Sequence, residues 1–205
     1  MKKTNLLAAV ISQLSFITLL PFVIDLFQYL NPIVYVVIWL CLTLLVFFFV
    51  YLCRGDKILV SKRMLIIGLI AYSIALLILL FMRPGNQSYD SFNLVPFETI
   101  LFYLSGEVKP LVAIYNLAAN IGLFIPYGTA FLLLAKKRPS NLVLLAVPVL
   151  VIISIELTQW LTHRGSMDID DLFLNILGVA IGYALTPLVN QVVRTCPSDL
   201  QNRRK

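Results

Sequence analysis

Charged residues are scarce in this sequence, since Asp, Glu, Lys and Arg together make up 13% of its 205 residues. Soluble globular proteins average about 25%. One histidine is too few for the H-E-x-x-H zinc motif, and the chain has neither a phosphate-cradling glycine loop nor a serine–histidine or cysteine–histidine arrangement. Of the three cysteines, Cys41 falls within an apolar stretch, and Cys53 and Cys196 fall on the side predicted below to be reducing. A disulfide or thiolate zinc site is therefore disfavoured.

Apolar residues are abundant instead: 60% of the chain is hydrophobic and the mean hydropathy is +0.93. A membrane-spanning helix needs about 20 predominantly apolar residues. Six stretches reach that length, and they are roughly 5–24, 33–53, 64–82, 111–135, 142–162 and 172–193. Each is too long for a strand of a membrane barrel. We predict an all-α, polytopic membrane helix bundle with six transmembrane helices, the first of which is retained and not cleaved as a signal peptide.

Lysine and arginine are unevenly divided between the loops of this topology. With the N-terminus inside, thirteen of the 16 basic residues are cytoplasmic, and only Arg83, Lys109 and Arg164 lie outside. Cytoplasmic loops of membrane proteins carry such an excess of basic residues. We therefore predict a multi-pass protein of the cell membrane with cytoplasmic N- and C-termini. The basic residues are scattered over short loops, so we expect membrane lipids and not nucleic acid as partners.

The one long connection, residues 83–110, carries apolar residues at helical spacing after Pro96. These are Phe97, Ile100, Leu101 and Leu104. The spacing predicts a short helix that lies on, or dips into, the outer membrane interface. The alternative is a solvated loop that happens to be apolar.

Polar side chains occur within three predicted spans, in the half nearer the outer surface. Helical spacing places them on one face of each helix: Asn116 and Asn120 on the fourth span, Glu156, Gln159 and His163 on the fifth, and Asp168, Asp171 and Asn175 leading into the sixth. An ionised residue at the centre of a membrane helix costs about 2.5–3.5 kcal/mol, and folding alone does not require that cost. We predict that Glu156, Asp171 and Asn175 lie close together in the bundle interior as a functional cluster.

Several neighbours have simpler interpretations. Asn116 and Asn120 are also compatible with interhelical hydrogen bonding alone. We expect Asp170 to be a solvated loop acid and His163 to be an ordinary interfacial residue. Gly178 and Gly182 form a G-x-x-x-G pattern, which predicts close helix packing.

Four segments together resemble the VanZ-like family, named for teicoplanin resistance. They are FNLVPFETI (92–100), NIGLFIPYG (120–128), IELTQW (155–160) and RGSMDIDDLFLNILGVAIG (164–182), in the family's order and at family-like spacing. The resemblance covers about residues 83–190. It implies functional positions at Asn120, Glu156, Gln159, Arg164, Asp168, Asp171 and Asn175. We accordingly divide the chain into two N-terminal helices (1–63) outside the resemblance, a four-helix core (64–193) and a short basic tail (194–205).

Three functions are compatible with these features. The resemblance implies an envelope protein that lowers susceptibility to teicoplanin by binding or excluding an amphiphile at the outer membrane face. A membrane enzyme acting on a lipid-linked cell-wall intermediate is the second, with Glu156 as general acid or base, or with a divalent cation held by Glu156, Asp168 and Asp171. The third is a small transporter with Glu156 as a proton relay. We predict no cofactor, and the cation is the weaker form of the enzyme hypothesis.

Overall fold

The computed structural model describes residues 2–27, 33–81, 92–165 and 167–196. Helices account for most of these residues, and four short strands join or follow them. The helices are α1 Lys2–Phe27, α2 Ile33–Arg54, α3 Lys62–Phe81, α4 Glu98–Leu104, α5 Pro110–Leu134, α6 Asn141–Leu161 and α7 Ile169–Val192. The strands are β1 Ile58–Ser61, β2 Phe92–Asn93, β3 Met167–Asp168 and β4 Val193–Cys196. The structure is thus mostly helical and compatible with the predicted all-α membrane bundle.

Each of the six predicted apolar stretches contains one long helix. Within the described residues, four helices are long and apolar enough to cross a membrane: Lys2–Ile24, Pro110–Leu134, Asn141–Leu161 and Ile169–Val192. The segment Ile38–Arg54 of α2 is a shorter apolar helix. These helices support a membrane protein. Six spans and cytoplasmic termini stay predictions.

The short helix expected in the long connection is present as α4. Its apolar side chains Leu101, Phe102 and Leu104 are exposed, as suits a segment lying against lipid. Its position at the outer interface stays a prediction. The first part of the connection, 82–91, and most of the basic tail, 197–205, lie outside the described residues.

The chain divides into two compact units, one of residues 1–59 with 190–194 and the other of residues 60–189 with 195–205. In the first unit α1 packs against α2. Polar pairs join these helices: the Trp39 indole N–H donates to Gln13 Oε1 at 2.9 Å, and Tyr51 donates to the side chain of Asn5. Such interhelical hydrogen bonds help to fix helix pairs in lipid.

The core of the second unit lies among α3, α5, α6 and α7, where Leu76, Phe124, Ile152 and Val179 pack together. Each helix contributes one of these buried residues. The three helices that carry polar motif residues, α5, α6 and α7, therefore surround one interior together with α3.

Glycines bring α5 and α7 into backbone contact. A β-carbon on Gly178 would collide with the Ile121 carbonyl oxygen, and one on Gly182 with the Ile125 carbonyl oxygen. Gly128 on α5 is equally close to the Val179 carbonyl of α7. The close helix packing predicted from the G-x-x-x-G pattern is present in the structure, and Gly128 is a third glycine in the contact. Dispersion contacts and interhelical hydrogen bonds, not the hydrophobic effect, hold such helices together in lipid.

A proline in α6 leaves a backbone carbonyl free to accept a hydrogen bond from α7. Pro148 lacks a backbone N–H, so the Leu144 carbonyl loses its helical partner. The Tyr183 hydroxyl of α7 donates to that carbonyl at 3.0 Å. The bond satisfies an acceptor that lipid could not hydrate, and it fixes α6 beside α7.

Candidate functional site

Five of the predicted polar residues line one small cavity in the second unit. They come from three helices: Asn120 from α5, Glu156 and Gln159 from α6, and Asp171 and Asn175 from α7. The cavity volume is about 10 Å³, which is about enough for one water molecule. We call these five residues the polar cluster.

Helical spacing explains why the cluster residues converge. Residues three or four apart lie on the same face of a helix, so Glu156 and Gln159 point together, as do Asp171 and Asn175. Glu156, Gln159 and Asn175 are 6%, 3% and 4% exposed. The predicted convergence of Glu156, Asp171 and Asn175 inside the bundle agrees with this geometry.

Two amide groups of the cluster donate hydrogen bonds within the protein. Gln159 Nε2 donates to the Leu80 carbonyl at 3.3 Å, in the last turn of α3. Asn120 Nδ2 donates to Asp171 Oδ1. These bonds tie α6 to α3 and α5 to α7, so the cluster is anchored on every helix around it.

Asn175 Oδ1 is the exception. This oxygen is buried and has no hydrogen-bond partner among the described residues. An unsatisfied buried polar atom costs about 1–3 kcal/mol, and native proteins contain few of them. Asn175 also lines the cavity, so the cluster contains an acceptor that is not satisfied by the described residues.

Three residues of the predicted set, Asn116, Arg164 and Asp168, do not line the cavity. Asn116 Nδ2 donates to the Val112 carbonyl at 2.8 Å, and this hydrogen bond lies within α5. Arg164 is exposed in the turn after α6, because that helix ends before it. None of the three belongs to the cluster.

Asp168 also lies away from the cavity, and it holds a loop together. Its Oδ2 accepts the Thr99 hydroxyl at 2.5 Å, and its Oδ1 accepts the Asp170 N–H at 2.9 Å. Asn93 pairs with Asp168 where β2 and β3 run parallel. The FNLVPFETI segment (92–100) is therefore bound to the segment that starts at Arg164 (164–182).

The expectation that Asp170 is solvated is wrong. Asp170 is 0% exposed. Its Oδ1 accepts the backbone N–H of Phe97 at 2.6 Å, and its Oδ2 accepts that of Ile100 at 3.1 Å. A carboxylate at a helix N-terminus satisfies N–H groups that have no helical partner. Asp170 thus caps α4 from another helix.

The cap also explains an unusual backbone. Phe97 has a φ of 67°, which bulky residues rarely adopt. Its N–H is bound by Asp170, and its ring stacks on Phe173 with centroids 5.7 Å apart. Residues of α7 therefore contact both the backbone N–H and the ring of Phe97, and these contacts hold it in this conformation.

The structure does not assemble the metal site considered from the sequence. Both oxygens of Asp168 are engaged with Thr99 and Asp170, whereas Glu156 and Asp171 face the cavity. In the part of the chain that the structure describes, no three His, Cys, Asp or Glu residues are grouped to hold a metal ion. Three-carboxylate ligation by Glu156, Asp168 and Asp171 is not supported.

Sequence reasoning missed Asp170, Thr99 and Gly128. Gly128 left a usable signal, because a glycine within a helix costs about 1 kcal/mol relative to alanine and so calls for a packing reason. Asp170 left none, since its partners are 70 and 73 positions away.

A protein-family model described as VanZ/LLP1 matches residues 32–190. The matched range starts just before α2, so it includes α2 and α3, which both precede the residues that carry the motif resemblance. Searches of curated proteins and of solved structures found no match.

Proposed function

This chain belongs to the VanZ/LLP1 family, and we propose that its polar cluster binds the polar head of an amphiphile and so lowers susceptibility to teicoplanin-type lipoglycopeptides. The single observation that carries the proposal is Asn175 Oδ1, a buried acceptor without a partner among the described residues, on a residue that lines the cavity. Folding alone gives no reason to retain it, because a leucine of similar size would avoid the cost of about 1–3 kcal/mol.

The chemistry of the cluster favours a ligand that donates hydrogen bonds. Gln159 Nε2 and Asn120 Nδ2 each donate one hydrogen bond inside the protein. The cavity is also lined by the carboxylates of Glu156 and Asp171. An amine or a hydroxyl group suits such a site, because carboxylates and amide oxygens are acceptors.

The position of the cluster suits an amphiphile. Glu156 lies five residues before the end of α6 and Asn175 six residues after the start of α7, or roughly 8–9 Å from those helix ends at 1.5 Å per residue. The small cavity admits one polar group and no more. A ligand with its head at this depth and its apolar part in lipid satisfies both constraints.

The uneven distribution of lysine and arginine between the loops supports binding at the outer face of the membrane. The predicted topology puts the α6–α7 turn outside, where a lipid-tailed glycopeptide or a lipid-linked wall precursor is accessible. We propose that occupation of the cluster by such a molecule reduces the drug's effect at the outer face.

The test compares drug susceptibility at equal protein abundance. Glu156→Gln and Asp171→Asn keep side-chain shape and remove charge, so membrane insertion becomes easier. We expect both variants to return teicoplanin susceptibility to that of cells lacking the protein. Vancomycin is measured beside teicoplanin, because a site at lipid depth favours the lipid-tailed drug.

Glu107→Gln is the matched control. Glu107 is an exposed carboxylate in the connection before α5, outside the cluster, and the variant should protect as the parent does. Protection by both cluster variants at the parent's level would refute the proposal.

Two carboxylates on one cavity also favour a second candidate, a membrane enzyme that uses Glu156 or Asp171 as general acid or base on a lipid-linked wall intermediate. Mass spectrometry of lipid extracts separates the candidates. An enzyme changes the mass of a lipid-linked species in parent cells and not in Glu156→Gln cells, whereas a binding protein leaves those masses alike.

A further inference from the structure

A second and much larger cavity lies in the second unit, between α3, α5, α6 and α7. Its volume is about 910 Å³, at the upper end of the 300–1,000 Å³ typical of ligand sites. Its lining is predominantly apolar and includes Leu69, Leu77 and Val151. The polar cluster does not line it, although Phe124 and Ile155 lie between the two cavities and line both.

The mouth of the cavity is basic. Lys136, Lys137 and Arg138, in the turn between α5 and α6, line it and are exposed. Lys62, at the start of α3, donates to the Leu134 carbonyl at 3.3 Å and so lies at the same end of the helices. Three successive cations beside an apolar space form an amphipathic site with one charged end.

The polar groups deeper in the cavity donate within the protein. Tyr127 donates to Ser73 Oγ at 3.0 Å, and Ser73 donates to the Leu69 carbonyl at 2.8 Å. Tyr183 donates to the Leu144 carbonyl. These hydroxyl groups therefore already have hydrogen-bond partners in the protein. The interior suits a hydrocarbon chain better than a polar ligand.

The length of the apolar part matches one leaflet. On α3 the lining runs from Leu69 to Leu77, and on α6 from Val147 to Ile155. Eight residues of helix rise about 12 Å, and half of a hydrocarbon core is about 15 Å. One acyl chain of a lipid in a single leaflet therefore matches the length of the cavity.

We propose that this cavity binds an anionic glycerophospholipid, with one acyl chain among α3, α5 and α6 and its phosphate at Lys136, Lys137 and Arg138. Basic pockets between membrane helices recognise lipid phosphates in this way. The predicted topology places the mouth on the cytoplasmic side, opposite the polar cluster. The lipid site does not depend on the function proposed for the cluster, and Glu156→Gln should leave it unchanged.

Native mass spectrometry of the full chain in detergent tests the proposal with phosphatidylglycerol and phosphatidylcholine of identical acyl chains. The parent should retain phosphatidylglycerol preferentially. Replacement of Lys136, Lys137 and Arg138 by glutamine should weaken that binding by roughly tenfold or more, since each cation near an anionic lipid headgroup strengthens the attraction. Inorganic phosphate in excess should not displace the lipid, because it supplies no acyl chain.

A matched triple variant controls for net charge. Lys2, Lys3 and Lys57 are exposed, do not line the cavity and belong to the first unit. Their replacement by glutamine removes the same charge and should leave lipid binding unchanged. An equal loss in both triple variants, or equal retention of the two lipids by the parent, would overturn the proposal.

A second pair of variants tests whether the chain enters the cavity. Val147→Trp fills space at the lining, whereas Leu142→Trp adds the same bulk at a side chain of α6 that is 75% exposed. We expect lipid binding to fall in the first and to persist in the second. Unchanged binding in Val147→Trp, displacement by phosphate alone, or a second copy of the chain in place of lipid would each contradict the assignment.

Discussion

Asp170 Oδ1 accepts the backbone N–H of Phe97 at 2.6 Å, across 73 positions of sequence. The contact joins the short helix α4 to the start of α7, the helix that carries Asp171 and Asn175. Asp170 points to α4 while its neighbour Asp171 points into the cavity. The start of α7 thus fixes the connecting segment and contributes Asp171 and Asn175 to the polar cluster.

Loss of the Asp170 carboxylate should destabilise the protein. Asp170→Ala leaves the N–H groups of Phe97 and Ile100 without their acceptor, at about 1–3 kcal/mol each. We expect a loss of roughly 2–4 kcal/mol in unfolding free energy in detergent. Asp170→Asn keeps one acceptor oxygen and should lose about half as much. Glu107→Gln, an exposed control, should change stability by no more than about 0.5 kcal/mol; an equally small effect of Asp170→Ala would contradict the capping role.

The glycine contacts predict position-specific effects of alanine. Gly178→Ala and Gly182→Ala place a methyl group against carbonyl oxygens of α5, and overpacking costs typically about 1–3 kcal/mol. Gly122→Ala is the control, because nothing lies within 4 Å of its added β-carbon, and it should be neutral or stabilising by up to about 1 kcal/mol. The measurement is unfolding in detergent. Equal stability of all three variants would show that α5 and α7 are not in backbone contact.

Replacement of Asn175 by leucine should abolish function without loss of stability. Asn175→Leu removes a buried acceptor that has no partner among the described residues, so its unfolding free energy should stay within about 1 kcal/mol of the parent's or rise. Teicoplanin protection should be lost. A variant that is strongly destabilised, or that is stable and still protects, would contradict the functional assignment of this residue.

The six-span topology makes a labelling prediction. In a background without native cysteines, a cysteine at position 137 should be shielded from a membrane-impermeant reagent applied outside, and one at position 164 should react. The expectation follows from the excess of basic residues assigned to the cytoplasmic side. External labelling at position 137 or 203 would refute the topology.

Local periodicity was enough to predict much of this molecule. Long apolar runs indicated the long helices, and spacings of three and four placed Glu156 with Gln159 and Asp171 with Asn175 on helix faces. The G-x-x-x-G pattern indicated the approach at Gly178 and Gly182. These are properties of single helices, so one sequence carries them.

Partners in other segments were not predictable in the same way. Asp170 looks like any acid at the start of a helix, and only the fold brings Phe97 and Ile100 to it. Asn116 shares helical spacing with Asn120, yet its amide bonds to its own backbone. Spacing identifies a face but does not say how far along that face a neighbouring helix makes contact.

Binding of an amphiphile at the polar cluster can be observed in an experimental structure of the full chain in a lipid bilayer, at a resolution that shows ordered non-protein atoms. We expect a donor group of an amphiphile within about 2.7–3.2 Å of Asn175 Oδ1, with apolar density leading away into the lipid. A cluster that holds only water, or an Asn175 oxygen that bonds to another residue of the chain, would contradict this expectation.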